Sequence, residues 1–95
     1  MRTLVVVTRH NALVQYLIKN GIVPEGTQAV SHASEDVVRG QQVIGVLPMR
    51  LAALTRSFTE VSLTLRPDQR GKELTLEDIE GANPQLTTYE VKVIR

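Results

Sequence analysis

The sequence contains no cysteine. That removes disulfide cross-links, thiolate metal sites and a cysteine nucleophile, and argues against a zinc centre. Aromatic residues are nearly as scarce. Tyr16, Phe58 and Tyr89 are the whole set, too few and too scattered to stack on successive bases of a single strand. No apolar run is long enough to cross a membrane. The stretch Met1 to Val7 carries one charge and an apolar run, but the run is too short for a signal-peptide core and no small-residue cleavage site follows. The chain is therefore read as cytoplasmic, with no membrane partner. An excess of one charge is also missing: 11 Lys and Arg against 10 Asp and Glu leave a formal net charge of +1. Proteins that coat nucleic acid by counterion release are far more basic, so no long nucleic acid is expected and any anion binding must be local. Glycine is absent before Gly21, so the first strand-like run leads into neither a P-loop nor a dinucleotide fingerprint. Nucleoside triphosphates and nicotinamide cofactors are disfavoured, and no cofactor is implied. Glu35-Asp36 and Glu77-Asp78-Ile79-Glu80 fall at predicted helix starts, where carboxylates complement the dipole, so no metal site is read from them.

What remains is an ordinary globular composition, 42% hydrophobic and 22% charged over 95 residues, consistent with one domain spanning 1–95. A domain of this length buries roughly two-thirds of its unfolded surface. Its radius of gyration of about 12 Å leaves little room for a deep private cleft. A large ligand is more easily enclosed between two copies, which favours a homodimer.

Leu4 to Val7 is a continuous β-branched run, the pattern of a strand buried on both faces of a parallel sheet. Ala12, Leu13, Tyr16 and Leu17 then recur at helical spacing up to a stop at Asn20-Gly21. Thr27 to Ser31 alternates like a short strand ending at His32, and Ser34-Glu35-Asp36 starts a helical turn closed by Arg39-Gly40. Val43 to Leu47 is a second buried run. Pro48 follows it as the first residue of a helix through Met49, Leu51, Ala52 and Leu54. Phe58, Val61, Leu63 and Leu65 lie near strand spacing and predict a fourth strand that stops at Pro67. Thr75 with Asp78 forms a capping box for a short helix ended by Gly81. Thr87 to Ile94 alternates polar and apolar, as an edge strand with one wet face does. The predicted fold is a small α/β, Rossmann-like, mostly parallel sheet of about five strands, with helices on both faces and the last strand at an edge.

In such a sheet the loops after parallel strands share the carboxyl edge, where ligands bind. That edge gathers Thr8-Arg9-His10-Asn11, His32, Pro48-Met49-Arg50 and Arg70-Gly71-Lys72. His10 stands where the first strand meets the first helix, with Asn11 as a possible cap. The positive helix end disfavours a cationic imidazole, so His10 is read as a neutral base, or else as a residue that merely starts the helix. The same helix end offers amides to a phosphate. Arg9 can hold a phosphate in a fork of hydrogen bonds, and Gly71 lets backbone approach a ligand flanked by two cations. His32 is a second acid or base, a base-stacking group, or a satisfied surface residue. Arg50 is similarly open, and Pro48 fixes where a helix start points. Arginine at three loops and a histidine at one point to a phosphodiester and to metal-independent cleavage of it.

Val7-Thr8-Arg9-His10-Asn11-Ala12, Val43-Ile44-Gly45-Val46-Leu47-Pro48 with Leu51-Ala52-Ala53, and Arg70-Gly71-Lys72-Glu73-Leu74 together resemble a known group. They look like the small CRISPR-associated proteins of the Csx series, its sixteenth family, found with type III systems, and the resemblance runs nearly end to end. Tyr16 stands where tryptophan is expected and Gln41 where an acidic residue is. The resemblance implies a ring nuclease that linearises cyclic tetra-adenylate, a dimer, and a CARF-like layout. It places Thr8, Arg9, His10, Pro48, Arg70 and Gly71 at motif positions. Under it, His10, Arg9 and Arg70 form the catalytic set, and Thr8, Asn11, His32, Pro48, Met49, Arg50, Gly71 and Lys72 contact the ligand. The alternative is a sponge or sensor that binds the cyclic oligoadenylate without cutting it.

Overall fold

A computed structural model describes residues 4–27 and 29–95. The Gln28 position of the predicted second strand lies outside the described residues. Five strands form one sheet in the order β2-β1-β3-β4-β5, with β1 at Leu4–Val7, β2 at Ala29–Val30, β3 at Gln42–Gly45, β4 at Ser57–Ser62 and β5 at Gln85–Tyr89. β1 to β4 are mutually parallel, and β5 runs antiparallel to β4 at the edge. The chain is thus a small α/β protein with a mixed sheet.

Helices lie on both faces because side chains alternate across each strand. Val6 of β1 and Ile44 of β3 point to the face covered by α1 (Asn11–Lys19) and α4 (Leu76–Gly81), where Leu17 and Ile79 are fully buried. Val7 and Val43 point to the other face, under Val38 of α2 (Glu35–Val38) and Leu51 of α3 (Met49–Ala52). The step from β1 to β2 uses one face, and the return steps to β3 and β4 use the other. This is the arrangement that crossovers of one handedness require.

Several predicted boundaries move, each for a visible reason. The second buried run was expected to reach Leu47, but β3 ends at Gly45 and Val46 is 73% exposed. Gly45 has φ +138, and a Cβ there would overlap the carbonyl oxygen of Val7. Only glycine allows β3 to approach β1 so closely. β4 was expected through Leu65. It ends at Ser62, opposite Gln85, and the chain then bonds Thr64 N–H to Ala82 O at 2.8 Å, at the end of α4. Leu63 and Leu65 pack against the α1/α4 core from outside the ladder. β5 was expected from Thr87 to Ile94. It runs from Gln85 to Tyr89, since Tyr89 already faces Phe58 and β4 begins one residue earlier. The second helix was drawn through Leu54 with Pro48 inside it, whereas α3 is a single turn with Pro48 as its N-cap.

The long link from β4 to α4 is organised by local bonds. A 3-10 turn covers Pro67–Gln69, and Gln69 Oε1 accepts from Arg66 N–H at 2.9 Å. Gln69 Nε2 donates to Asp78 Oδ1 at 3.4 Å, which ties the turn to the start of α4. Asp78 also completes the predicted capping box: Thr75 N–H donates to its carboxylate at 2.9 Å, while Asp78 N–H donates to Thr75 Oγ1 at 3.1 Å. The backbone bond from Thr75, then the bond from its side chain, holds the Asp78 carboxyl below its ordinary value of 3.8.

Replacing Gly45 with alanine forces an overlap with backbone and a strained φ, so Gly45→Ala is expected to destabilise the protein by about 3 kcal/mol or more. Urea denaturation reads this as a lower midpoint at unchanged slope. The Asp78 carboxyl ionises more readily folded than unfolded. Its stabilisation is therefore complete above the ordinary value and fades as pH falls below it, through the lowered folded value. Asp78→Asn is expected to flatten the loss of stability below about pH 4, measured as urea midpoints at pH 6 and pH 3.

Candidate functional site

The strand order reverses between β1 and β3: the chain leaves β1 toward β2 on one side and returns past it to β3 on the other. The loops at their carboxyl ends diverge, which opens a crevice of the kind that binds ligands in open α/β sheets. A cleft of about 460 Å³ lies there, lined by Thr8, Arg9 and His10 after β1, Ser31 to Ala33 after β2, and Val46 to Pro48, Arg50 and Leu51 after β3. A second cleft, about 370 Å³, is lined by Leu65, Gln69 and Gly71 to Leu74 from the β4–α4 link. Arg9 and His10 also line it, so these two residues form the ridge between the clefts.

Their position is fixed from three directions. Val7 O accepts from Val46 N–H at 3.1 Å, and Thr8 N–H donates to Val30 O at 3.1 Å, which clamps the end of β1 between its neighbours. Thr8 is buried, and its Oγ1 accepts from His10 N–H at 3.1 Å. That bond tightens the turn, leaving Arg9 exposed and His10 half-buried as N-cap of α1. A hydroxyl that accepts this bond still has its own proton to donate into the first cleft.

The electrostatics of the ridge are positive and local. His10 gives no side-chain bond to the helix start, and α1 has no acidic residue in its first turn, unlike α2 and α4. The dipole of a nine-residue helix thus meets no side-chain cap and no acidic side chain at that end. Among the described residues Arg9, Arg70 and Lys72 take part in no ion pair. Arg50 does, reaching Glu35 at 3.8 Å while Arg39 holds the same carboxylate at 3.1 Å. Both pairs are exposed and worth little, so Arg50 is free to turn toward an anion.

Of the residues singled out in the sequence, Thr8, Arg9, His10, His32, Pro48 and Arg50 meet in the first cleft, and Gly71 and Lys72 face Arg9 and His10 in the second. Asn11, Met49 and Arg70 line neither. Asn11 is the exposed first residue of α1, not its cap; Met49 is 73% exposed at the start of α3; Arg70 is exposed beside Gly71. Gly71 has φ +78 with open space around it, so it is the backbone conformation that calls for glycine there, not crowding. Sequence reasoning did not single out Ser31, Leu65, Gln69, Glu73 or Leu74 as lining residues. Leu65 reads as part of the fourth strand, Glu73 and Leu74 enter only as the end of the Arg70–Leu74 motif, and the turn that presents Gln69 has no periodic signature. Among the described residues no cluster of three or more His, Asp or Glu could hold a metal ion, and no helix is long and apolar enough to cross a membrane.

The model of one protein family, described as "Putative CRISPR-associated protein (Cas_VVA1548)", matches residues 5–92. No curated protein and no solved structure matches the chain.

Proposed function

Because the chain belongs to this CRISPR-associated family, we propose that it is a ring nuclease of type III systems, acting on cyclic tetra-adenylate as the Csx-series resemblance implies. The observation that carries this reading is the ridge at the carboxyl edge, where an unpaired arginine and a histidine stand between two adjoining clefts. The strand order 2-1-3-4-5 supports kinship with the Rossmann-like and CARF-like folds.

In a cyclic oligoadenylate each ribose carries a 2′-hydroxyl beside its own phosphodiester. Attack by that oxygen on phosphorus, with departure of the 5′-oxygen, opens the ring and leaves a 2′,3′-cyclic phosphate and a 5′-hydroxyl. Atoms and charge balance without water or metal: the proton lost by the 2′-oxygen ends on the 5′-oxygen. Holding the two oxygens in line can lower the barrier by about 7 kcal/mol or more. His10 takes and returns the proton, and Arg9, with the amides at the start of α1, offsets charge on the phosphorane. Lys72, which lines the second cleft, reaches a neighbouring phosphate from the β4–α4 link.

Clefts of about 460 and 370 Å³ are each the size of a site for a drug-sized molecule. A ring of four nucleotides exceeds either, which supports a homodimer closing over it. A twofold axis would present each arginine twice to equivalent phosphates. Val46 and Met49, both 73% exposed beside the first cleft, are the apolar residues a second copy would cover.

The test is incubation of purified protein with cyclic tetra-adenylate in EDTA, with products followed by chromatography. Linear oligoadenylate ending in a cyclic phosphate is expected. Intact ring after long exposure to excess protein, together with a raised melting temperature, would assign the protein to a binding sponge or sensor. His10→Ala is expected to lower turnover by about 10²–10⁴ and leave ring affinity nearly unchanged. Undiminished turnover would make His10 structural and leave catalysis to positioning.

A further inference from the structure

The second cleft contains one group that a phosphate does not want. Arg9 and Lys72 suit an anion, but Glu73 lines the same cavity and is exposed, and among the described residues it takes part in no ion pair. Gln69, the neighbouring polar side chain, is already committed at both ends, to Arg66 N–H and to Asp78. Glu73 is therefore an uncommitted acceptor and the one carboxylate lining this cleft, whose lining also includes half-buried Leu65 and buried Leu74.

A carboxylate repels a phosphodiester and pairs with N–H donors, while leucine side chains suit the flat face of a ring. Those two demands are met together by a nucleobase that carries an exocyclic amine. Resting on the cyclic oligoadenylate reading above, we infer that the second cleft is a base-recognition subsite. In it Glu73 accepts a hydrogen bond from the 6-amino group of an adenine whose phosphate lies on the Arg9 ridge. The two clefts then divide the work. The ridge reads backbone charge, which every ribonucleotide ring has, and Glu73 reads the base, favouring rings whose bases carry an amino group at that position over rings whose bases have no donor there.

The experiment compares binding of two rings, cyclic tetra-adenylate and its purine-riboside counterpart, in which each 6-amino group is replaced by hydrogen. Both carry 2′-O-methyl riboses so that neither can be cut, and dissociation constants are measured at one fixed salt concentration. The wild-type protein is expected to prefer the adenine ring. Glu73→Ala is expected to shrink that preference about tenfold or more, the loss of one charge-assisted hydrogen bond. Lys72→Ala is expected to weaken both rings alike and leave the ratio unchanged. A wild-type preference that survives intact in Glu73→Ala overturns the base-reading role while leaving the proposed function standing. Failure of the wild-type protein to bind either ring overturns both. Since Glu73 is exposed, unchanged melting temperature of the variant is expected and separates lost recognition from lost folding.

Discussion

The site depends on how the carboxyl end of β1 is held. Val7 and Thr8 are bonded on both sides, to Val46 through the Val7 carbonyl and to Val30 through the Thr8 amide. The close approach of β3 that makes the first bond possible exists because residue 45 has no Cβ. The same constraint does two jobs. It ends the central strand sharply enough to throw Val46 outward, and it delivers Thr8, Arg9 and His10 to the reversal point of the sheet in a fixed register. Thr8 completes the arrangement by bonding His10 N–H, so the ridge residues are set by backbone and by a buried hydroxyl, with no exposed ion pair involved. A site built this way keeps its geometry at high salt, where exposed pairs such as Lys19–Glu80 and Arg66–Asp68 count for little.

Charge is distributed to match. With a formal net charge of +1 the molecule has no general attraction for polyanions, yet the ridge combines an unpaired guanidinium, a helix end with no acidic side chain and the nearby Lys72. Apart from Glu73 in the second cleft, carboxylates lie elsewhere: Glu77 and Asp78 are in the first turn of α4, and Glu35 holds Arg39 and Arg50. The proposed ligand, small and with a few phosphates, suits such an arrangement. A duplex would need a broad basic face, and the near balance of charges over the whole chain does not provide one.

The elements legible in the sequence were those whose signals are local. The β-branched run at Leu4–Val7, the helical spacing after it and the Thr75–Asp78 box each specify their own structure, and all three appear where expected. Element ends were less legible, because a partner decides them. β4 loses its partner at Ser62 although Leu63 and Leu65 keep the apolar alternation. β5 stops at Tyr89 although Val91 and Val93 continue it. The first cleft could be anticipated since parallel topology alone brings the loops after β1, β2 and β3 together. The second was legible only in part: the same topology put Gly71 and Lys72 at the edge with Arg9 and His10, where they line it. It depends on a 3-10 turn held by Gln69, and Gln69 is held by Asp78 nine residues further on, a bond no periodicity announces.

That bond has a consequence for how the two clefts relate. The first is walled by segments that leave strands, so its shape is tied to the stability of the sheet. The second is walled on one side by the ridge and on the other by a link anchored by hydrogen bonds at 2.9 to 3.4 Å and by Leu65 and buried Leu74 in the α1/α4 core. A ligand that touches both clefts therefore meets one wall set by the sheet and another set by the β4–α4 link. The ridge residues belong to both clefts, so contacts made in the second bear directly on Arg9 and His10. Contacts made to a remote part of the ligand can in this way be used to align the reacting one.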